Sequence, residues 1–458
     1  MNKIIVLFLM LMILLGCGPT KELSMDDKEG YSGAWEGQLD LPNGKLTIVF
    51  HVDDDNGRLK AKMDSPNQGA MGIAMDKVTL ENDTLLITSA ALGMKFKGVL
   101  EGDTLVGTFS QGGSDFDLKM NKNANPVTLQ RPQEPKGPFG YESEDVRFEN
   151  SSAGIKLAGT LSYPSSGGPF AAAVLITGSG PQNRDEEIFG HKPFLLIADY
   201  LTKKGFAVLR YDDRGFGQSE GDAESATSRD LADDAEAAMA YLKTRSFIDS
   251  RKIGLIGHSE GGLINGMVAA RNPETAFIIM LAGPGLRGDQ LLLLQNRAIM
   301  EASGQDAEAV DKAVLENRRI YQLVTSEGAA ARGKIAEILA EAGFDPENQE
   351  VMINAILSPW FIYFLKSDPA DYLEKLNIPV LALFGEKDLQ VPYEANMEAV
   401  EKALKKAGNK DFTVKAFPKM NHMFQGADKG LVEEYALIEE TMSSIVLETM
   451  GDWLLQRF

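Results

Sequence analysis

Gly257-His258-Ser259-Glu260-Gly261-Gly262 is the stretch on which the reading of this chain turns. It follows the apolar run Ile253-Gly254-Leu255-Ile256, which reads as a buried strand, and precedes Leu263 to Arg271, which reads as a helix. A G-x-S-x-G between strand and helix is the nucleophile-elbow pattern. The turn is so tight that its serine takes strained backbone angles, and bulky side chains two residues to either side would clash. Glycine at 257 and 261 removes that clash. Ser259 is expected to project its hydroxyl above a sheet, with the backbone N–H of Glu260 free to bind an oxyanion.

A serine hydroxyl is a weak nucleophile at neutral pH and needs a general base that a third group orients. The chain has 4 histidines, so elimination nearly finds the base. His51 falls in a β-rich region far upstream, and His191 precedes a helix. His258 adjoins Ser259 in the elbow, with its side chain directed away from its neighbour's. His422, in Lys419-Met420-Asn421-His422-Met423, follows the last expected strand and is the candidate base. The orienting carboxylate should lie between serine and histidine in chain order. Asp388, in Gly385-Glu386-Lys387-Asp388, follows the strand Val380 to Phe384 at the carboxyl end where such sheets bind ligands. Glu386 competes with it, but one residue after the strand it is expected to face solvent.

Two N–H donors are needed for a tetrahedral oxyanion. One is that of Glu260. The other is expected from Gly178-Ser179-Gly180, with Ser179 the choice and Gly180 next. Three features stay open. Arg184-Asp185-Glu186 lies just after this loop and either touches substrate or holds the loop. Tyr211-Asp212-Asp213-Arg214-Gly215 reads as a structural loop more than a catalytic one. The Glu260 carboxylate either selects a cationic or hydroxyl-rich substrate or bonds within the elbow.

Around the elbow, short apolar runs alternate with helical patterns. Ala172 to Thr177, Ala207 to Tyr211, Ile253 to Ile256, Phe277 to Ala282, Val380 to Phe384 and Phe412 to Phe417 read as buried strands. Val146 to Phe148 and Ile155 to Leu161 precede them. Pro193 to Lys204, Ser228 to Lys243 and Glu394 to Lys406 read as helices. Such alternation implies a mostly parallel sheet with helices on both faces. The gap at about 284–376 is too long for an ordinary link. Its helical patterns, Leu291 to Leu294, Ile335 to Ala342 and Val351 to Leu365, predict an inserted cap. Its aromatic patch, Trp360, Phe361, Tyr363 and Phe364, either lines an acyl pocket or packs the cap onto the sheet.

Upstream the periodicity changes. Leu46, Ile48, Phe50 and Val52 alternate with other residues, as do Phe96, Gly98 and Leu100, and Leu105, Gly107 and Phe109. Turn signals recur at Pro42-Asn43-Gly44, Asp55-Asn56-Gly57, Glu81-Asn82-Asp83 and Glu101-Gly102-Asp103. Residues 31–125 are therefore expected to form a small all-β barrel or sandwich, with Trp35 as its core plug. Residues 126–140, with Pro126, Pro132, Pro135 and Pro138, read as an extended linker to the α/β unit at 141–458. Residues 1–17 read as a targeting segment. Lys3 starts it, and the apolar run Ile4 to Leu15 is shorter than the roughly 20 residues a membrane span needs. Leu14-Leu15-Gly16-Cys17 resembles the bacterial lipobox, in which the cysteine is lipidated. Residues 18–30 read as a polar tether. Cys17 is the 1 cysteine of the chain, so no intrachain disulfide, catalytic thiol or cysteine metal site is possible.

The formal net charge of −20 argues against nucleic acid or anionic lipid surfaces as partners. There is no HExxH or CxxC, no P-loop and no dinucleotide fingerprint, so no metal, nucleotide or other cofactor is implied.

From about Tyr141 to the end, the chain resembles bacterial α/β-hydrolases of the carboxylesterase type. The stretches that carry the resemblance are Thr177-Gly178-Ser179-Gly180-Pro181 with Arg184-Asp185-Glu186, Gly190-His191-Lys192-Pro193-Phe194, Leu209-Arg210-Tyr211-Asp212-Asp213-Arg214-Gly215, the elbow, and Asn421-His422-Met423-Phe424-Gln425. Glu434-Tyr435 and Glu439-Glu440-Thr441 extend it. The resemblance implies hydrolysis of short-chain, small-molecule esters through an acyl-serine, with Ser259, Asp388 and His422 as triad. With the lipobox, it implies a protein lipid-anchored in a bacterial cell envelope, touching membrane only through that anchor. The competing readings are a serine peptidase or aminopeptidase of the same fold, and a catalytically inactive binding lipoprotein.

Overall fold

The computed structural model describes residues 30–41, 44–55, 58–81, 83–123, 126 and 130–458. The targeting segment, Cys17, most of the tether and parts of the turns at 42–43, 56–57 and 82 lie outside the described residues. The chain divides into two compact units between Gln130 and Arg131.

The first unit is a single antiparallel sheet. Its strands are β1 (Gly33–Leu41), β2 (Gly44–Asp55), β3 (Arg58–Ser65), β4 (Ala70–Ala74), β5 (Lys77–Glu81), β6 (Thr84–Ser89), β7 (Met94–Glu101), β8 (Thr104–Gln111) and β9 (Ser114–Lys122). Their order across the sheet is β4-β3-β2-β1-β9-β8-β7-β6-β5. The sheet rolls around one core, so that β3 packs against β5 from the opposite half. Of the two expected architectures this is the barrel, left open between its edge strands. The period of two has its cause here: Ile48, Phe50 and Val52 of β2 face inward, as do Met94 and Phe96 of β7. Trp35 is fully buried in this core, and its indole N–H donates to the Tyr31 carbonyl at 2.8 Å. His51, half-exposed, pairs with Asp64 at 2.6 Å.

The second unit carries the sheet that the apolar runs predict. Its strands are β10 (Glu142–Asn150), β11 (Ile155–Tyr163), β12 (Phe170–Ile176), β13 (Ala207–Tyr211), β14 (Ile248–His258), β15 (Ile278–Leu281), β16 (Val380–Gly385) and β17 (Phe412–Phe417), in the order β10-β11-β13-β12-β14-β15-β16-β17. β11 runs antiparallel to both its neighbours, and the strands from β13 to β17 are parallel. Alternate residues of β12 feed two cores: Ala172, Val174 and Ile176 on one face, Ala171, Ala173 and Leu175 on the other. Burial on both faces is why these strands read as unbroken apolar runs.

Helices α1 (Pro193–Lys203), α2 (Ser228–Lys243) and α3 (Glu260–Arg271) follow successive strands. The cap at the expected position comprises α4 (Gly288–Ala302), α5 (Ala307–Glu327), α6 (Arg332–Glu341), α7 (Pro346–Ile356), α8 (Pro359–Lys366) and α9 (Ala370–Leu373). It has a core of its own around Ile320, Val324, Ile335 and Ile353. The pattern Val351 to Leu365, read as one helix, is two. Ser358 caps α8 by accepting from the Phe361 N–H at 3.2 Å, and Pro359 supplies a first residue without an amide hydrogen. α10 (Tyr393–Lys406), α11 (Val432–Tyr435) and α12 (Ser444–Leu455) complete the unit. α2, α3 and α10 cover one face of the sheet, α1 and α12 the other. No helix among the described residues is long and apolar enough to cross a membrane.

The proline-rich segment, read as an extended linker, makes specific contacts along its course. From Arg131 onward it belongs to the second unit. The Arg131 guanidinium donates to the carbonyls of Phe189 and Ala436, both at 2.7 Å, and Gln133 bonds the backbone of Thr441 and Met442. Proline content reports an extended backbone; it says nothing of what that backbone meets.

Candidate active site

Ser259 stands between β14 and α3 at φ 53°, ψ −121°. A side chain at Gly257 would strike the Gly261 carbonyl, and one at Gly261 would strike the Ile176 carbonyl. The elbow therefore tolerates only glycine at both places. Its serine N–H is tied to the Leu281 carbonyl at 2.8 Å. Ser259 stays partly exposed while its neighbours on both sides are buried.

Asp388 and His422 meet in a hydrogen bond of 2.8 Å between Oδ2 and Nδ1, and both side chains are buried. The other carboxylate oxygen of Asp388 accepts from the N–H groups of Gln390 and Val391, each at 2.8 Å. With Oδ1 so held, Oδ2 is left for the imidazole. Glu386, the competing carboxylate, is exposed. The loop of His422 is braced from within. Asn421 Oδ1 accepts from Met423 N–H and Gln425 N–H, at 3.0 and 2.9 Å. It is braced from β16 by the Lys387 N–H, which donates to the Met420 carbonyl at 2.8 Å.

The expected oxyanion donors flank the serine. Glu260 opens α3, where first-turn N–H groups have no partner within the helix and the helix dipole favours negative charge. Gly178 lies so close that a Cβ there would stand 3.2 Å from that of Ser259. Its N–H is taken by Glu186 Oε1 at 2.9 Å, which leaves the exposed Ser179 and Gly180 as the next donors along the loop.

The open alternatives now resolve. The Glu260 carboxylate is buried and accepts from Ser228 Oγ at 2.6 Å and from the Trp360 indole at 2.9 Å. Burial pushes its pKa up despite these donors. It bonds within the elbow and reaches the cap, and so is not free to select substrate. Trp360 stacks on Phe364 at 5.3 Å, while Phe361 meets Tyr321 in the cap core at 5.9 Å. The aromatic patch thus packs the cap.

Each member of Arg184-Asp185-Glu186 is also committed. Arg184 forks onto Asp212 at 3.0 and 2.8 Å, Asp185 pairs with Arg210, and Glu186 meets His258 at 2.9 Å. Asp213 accepts from Thr177 Oγ1 at 2.8 Å, and Arg214 donates to Asp234 at 2.6 Å, so the Asp212-Asp213-Arg214 loop is structural. Burial, aided by the positive charge of Arg131, lowers the pKa of His191 to about 4.

The sequence reading missed the part that Glu186 and His258 play together. Taken singly, His258 reads as a rejected base and Glu186 as one of three residues beside the oxyanion loop, and neither reading pairs them. The signal available was the presence of both in one set of resembling motifs.

A mostly parallel sheet with a serine elbow after β14, a carboxylate after β16 and a histidine after β17 defines the α/β-hydrolase fold. The comparisons with known proteins agree. Residues 193–343, which include Ser259, match the family described as serine aminopeptidase, S33. Residues 357–442, which include Asp388 and His422, match the prolyl oligopeptidase family. Esterase EstD of Thermotoga maritima is 27% identical over 325 residues, covering 70% of this chain and 69% of that protein. The protein YfhR of Escherichia coli strain K12 is 32% identical over 128 residues, 28% of this chain and 41% of its own length. Among solved structures, Est1E of Butyrivibrio proteoclasticus with bound ferulic acid superposes with a TM-score of 0.42 at 20% identity, covering 68% of this chain and 98% of that one. The chain is a serine hydrolase similar to carboxylesterases.

Proposed function

We propose that Ser259, His422 and Asp388 act as the nucleophile, base and orienting acid of a short-chain carboxylesterase. The observation that carries this reading is the buried 2.8 Å Asp388–His422 pair on a loop bonded to the elbow of Ser259. In this scheme His422 Nε2 takes the Ser259 proton as Oγ attacks the ester carbonyl. Asp388 holds the Nδ1–H tautomer and stabilises the imidazolium without taking the proton. The N–H groups of Glu260 and Ser179 receive the oxyanion. The tetrahedral intermediate expels the alcohol, which leaves with the proton from His422. Water, deprotonated by His422, then attacks the acyl-serine to release the acid and restore Ser259.

The matching family descriptions also allow a peptidase. One contact favours the ester. An exopeptidase needs a carboxylate for the substrate's terminal ammonium, and Glu260, beside the nucleophile, is already occupied by Ser228 and Trp360. Turnover of p-nitrophenyl acetate or butyrate is expected to exceed that of an amino-acyl p-nitroanilide in kcat/KM. The reverse order would replace the esterase with an aminopeptidase.

We further propose that residues 1–17 are a lipoprotein signal, that Cys17 is acylated, and that the enzyme is a periplasmic or outer-membrane lipoprotein. The support is the apolar run ending in Leu14-Leu15-Gly16-Cys17 and the polar segment after it. Each buried acyl CH₂ contributes about 0.8 kcal/mol, so the acyl chains supply the membrane affinity. Cys17→Ser is expected to shift the protein from the pelleted membrane fraction to the supernatant. Retention in the pellet would argue against lipidation.

A further inference from the structure

His258 lies between two acceptors. Its Nδ1 is 2.9 Å from Glu186 Oε1, and its Nε2 is 3.0 Å from the carbonyl oxygen of His422. A carboxylate and a backbone carbonyl only accept, so a ring bonded to both carries a proton on each nitrogen and is an imidazolium. The pair is buried, with His258 6% and Glu186 3% exposed. Phe194, Ile197, Leu281, Met423 and Met442 surround it, and such apolar walls strengthen the attraction between the charges. Glu186 also accepts from the Gly178 N–H and holds φ 51°, a left-handed conformation rare for a residue with a side chain.

We propose that Glu186 and His258 form a second carboxylate–imidazolium unit, which positions His422 and the oxyanion loop without touching substrate. This rests on the roles given above to Ser259, His422 and Ser179. One end of the unit grips Gly178, whose successor is an oxyanion donor. The other end grips the backbone of the base. The middle is joined to the nucleophile by a peptide bond. A single buried ion pair thereby sets the spacing of three separate loops. Misplacement of about 1 Å in such a constellation costs on the order of 10²-fold in rate. The ring centroids of His258 and His422 are 4.7 Å apart, so the unit also packs directly against the base.

The unit has a pH signature. The charged groups facing His258 are Glu186 and, farther off, Asp388, beside the imidazole of His422; Glu186 in turn faces Asp213. Burial opposes the charge on His258, but Glu186 and the His422 carbonyl outweigh it, and the pKa is raised above its ordinary 6.5. A raised pKa means the unit is intact below the unfolded value and is lost as pH rises through the folded one. The alkaline limb of activity then belongs to His258.

Glu186→Gln keeps the shape and removes the charge. It is expected to lower kcat about 10²-fold near pH 8 with little change in KM. Its alkaline limb should move toward neutral pH, with rate recovered on acidification. His258→Gln, which has no titrating ring, should lose that limb. A Glu186→Gln profile parallel to the wild type would overturn the proposal. Should the variants fail to fold, imidazole nitrogen NMR shifts of the wild type decide: one ring protonated on both nitrogens near pH 8 supports it, and a neutral His258 overturns it. Absence of esterase activity in the wild type would instead remove the esterase reading, leaving the imidazolium to be judged by the same shifts.

Discussion

Ser259→Ala is expected to lower kcat for a p-nitrophenyl ester by on the order of 10⁴–10⁶-fold, with KM changed little. The reason is that no other atom can form the acyl intermediate. What remains is the catalysis that oxyanion donors and substrate positioning supply to attack by water. Alanine keeps a Cβ at φ 53°, so the strained elbow is not relieved, and the protein should unfold at nearly the wild-type temperature. His422→Ala is expected to lose a similar factor. The double variant should be little worse than either single one, because nucleophile and base act as one unit. A fluorophosphonate should label wild-type Ser259 and leave the Ser259→Ala protein unlabelled. A loss of less than tenfold in the His422 variant would mean that another group is the base. Failure of the wild type to label would favour a binding lipoprotein whose hydrolase unit is inactive.

Much of this architecture is legible because the fully buried strands announce themselves. β13 coincides with the apolar run Ala207 to Tyr211, β16 extends the run Val380 to Phe384 by one residue, and α2 coincides with the pattern Ser228 to Lys243. In a doubly covered sheet both faces of a strand select apolar residues, so the signal is strong and its ends are sharp. The meeting of Asp388 and His422 is legible for a related reason: residues that follow the carboxyl ends of parallel strands collect at one edge of the sheet. Contacts between loops are not written in any period. Glu186 and His258 are 72 positions apart, and neither spacing nor composition marks them as partners. The bond from Trp360 to Glu260 spans 100 positions, from cap to elbow, and a helix pattern records only that Trp360 lies on a helix. The same limit applies to Arg131, whose partners at Phe189 and Ala436 are backbone carbonyls with no sequence identity to read.

Asp388→Asn is expected to lower kcat by about 10⁴-fold, more than the loss of one charge would suggest. The geometry around the carboxylate gives the reason. Oδ1 is fixed by the N–H groups of Gln390 and Val391, so an asparagine keeps its carbonyl oxygen there and turns its NH₂ toward His422. That NH₂ is a donor facing Nδ1. His422 is then driven to the tautomer with its proton on Nε2, the nitrogen that must accept from Ser259. Asp388→Ala removes the orienting group without imposing the wrong tautomer, and should retain at least as much activity as the asparagine variant. Glu386→Gln, on an exposed side chain two residues away, should leave kcat unchanged. Steady-state kinetics on the three variants check the assignment. A greater loss from Glu386→Gln than from Asp388→Asn would transfer the orienting role to Glu386. An alanine variant far weaker than the asparagine variant would mean that Asp388 acts mainly by holding the loop, with the tautomer set elsewhere.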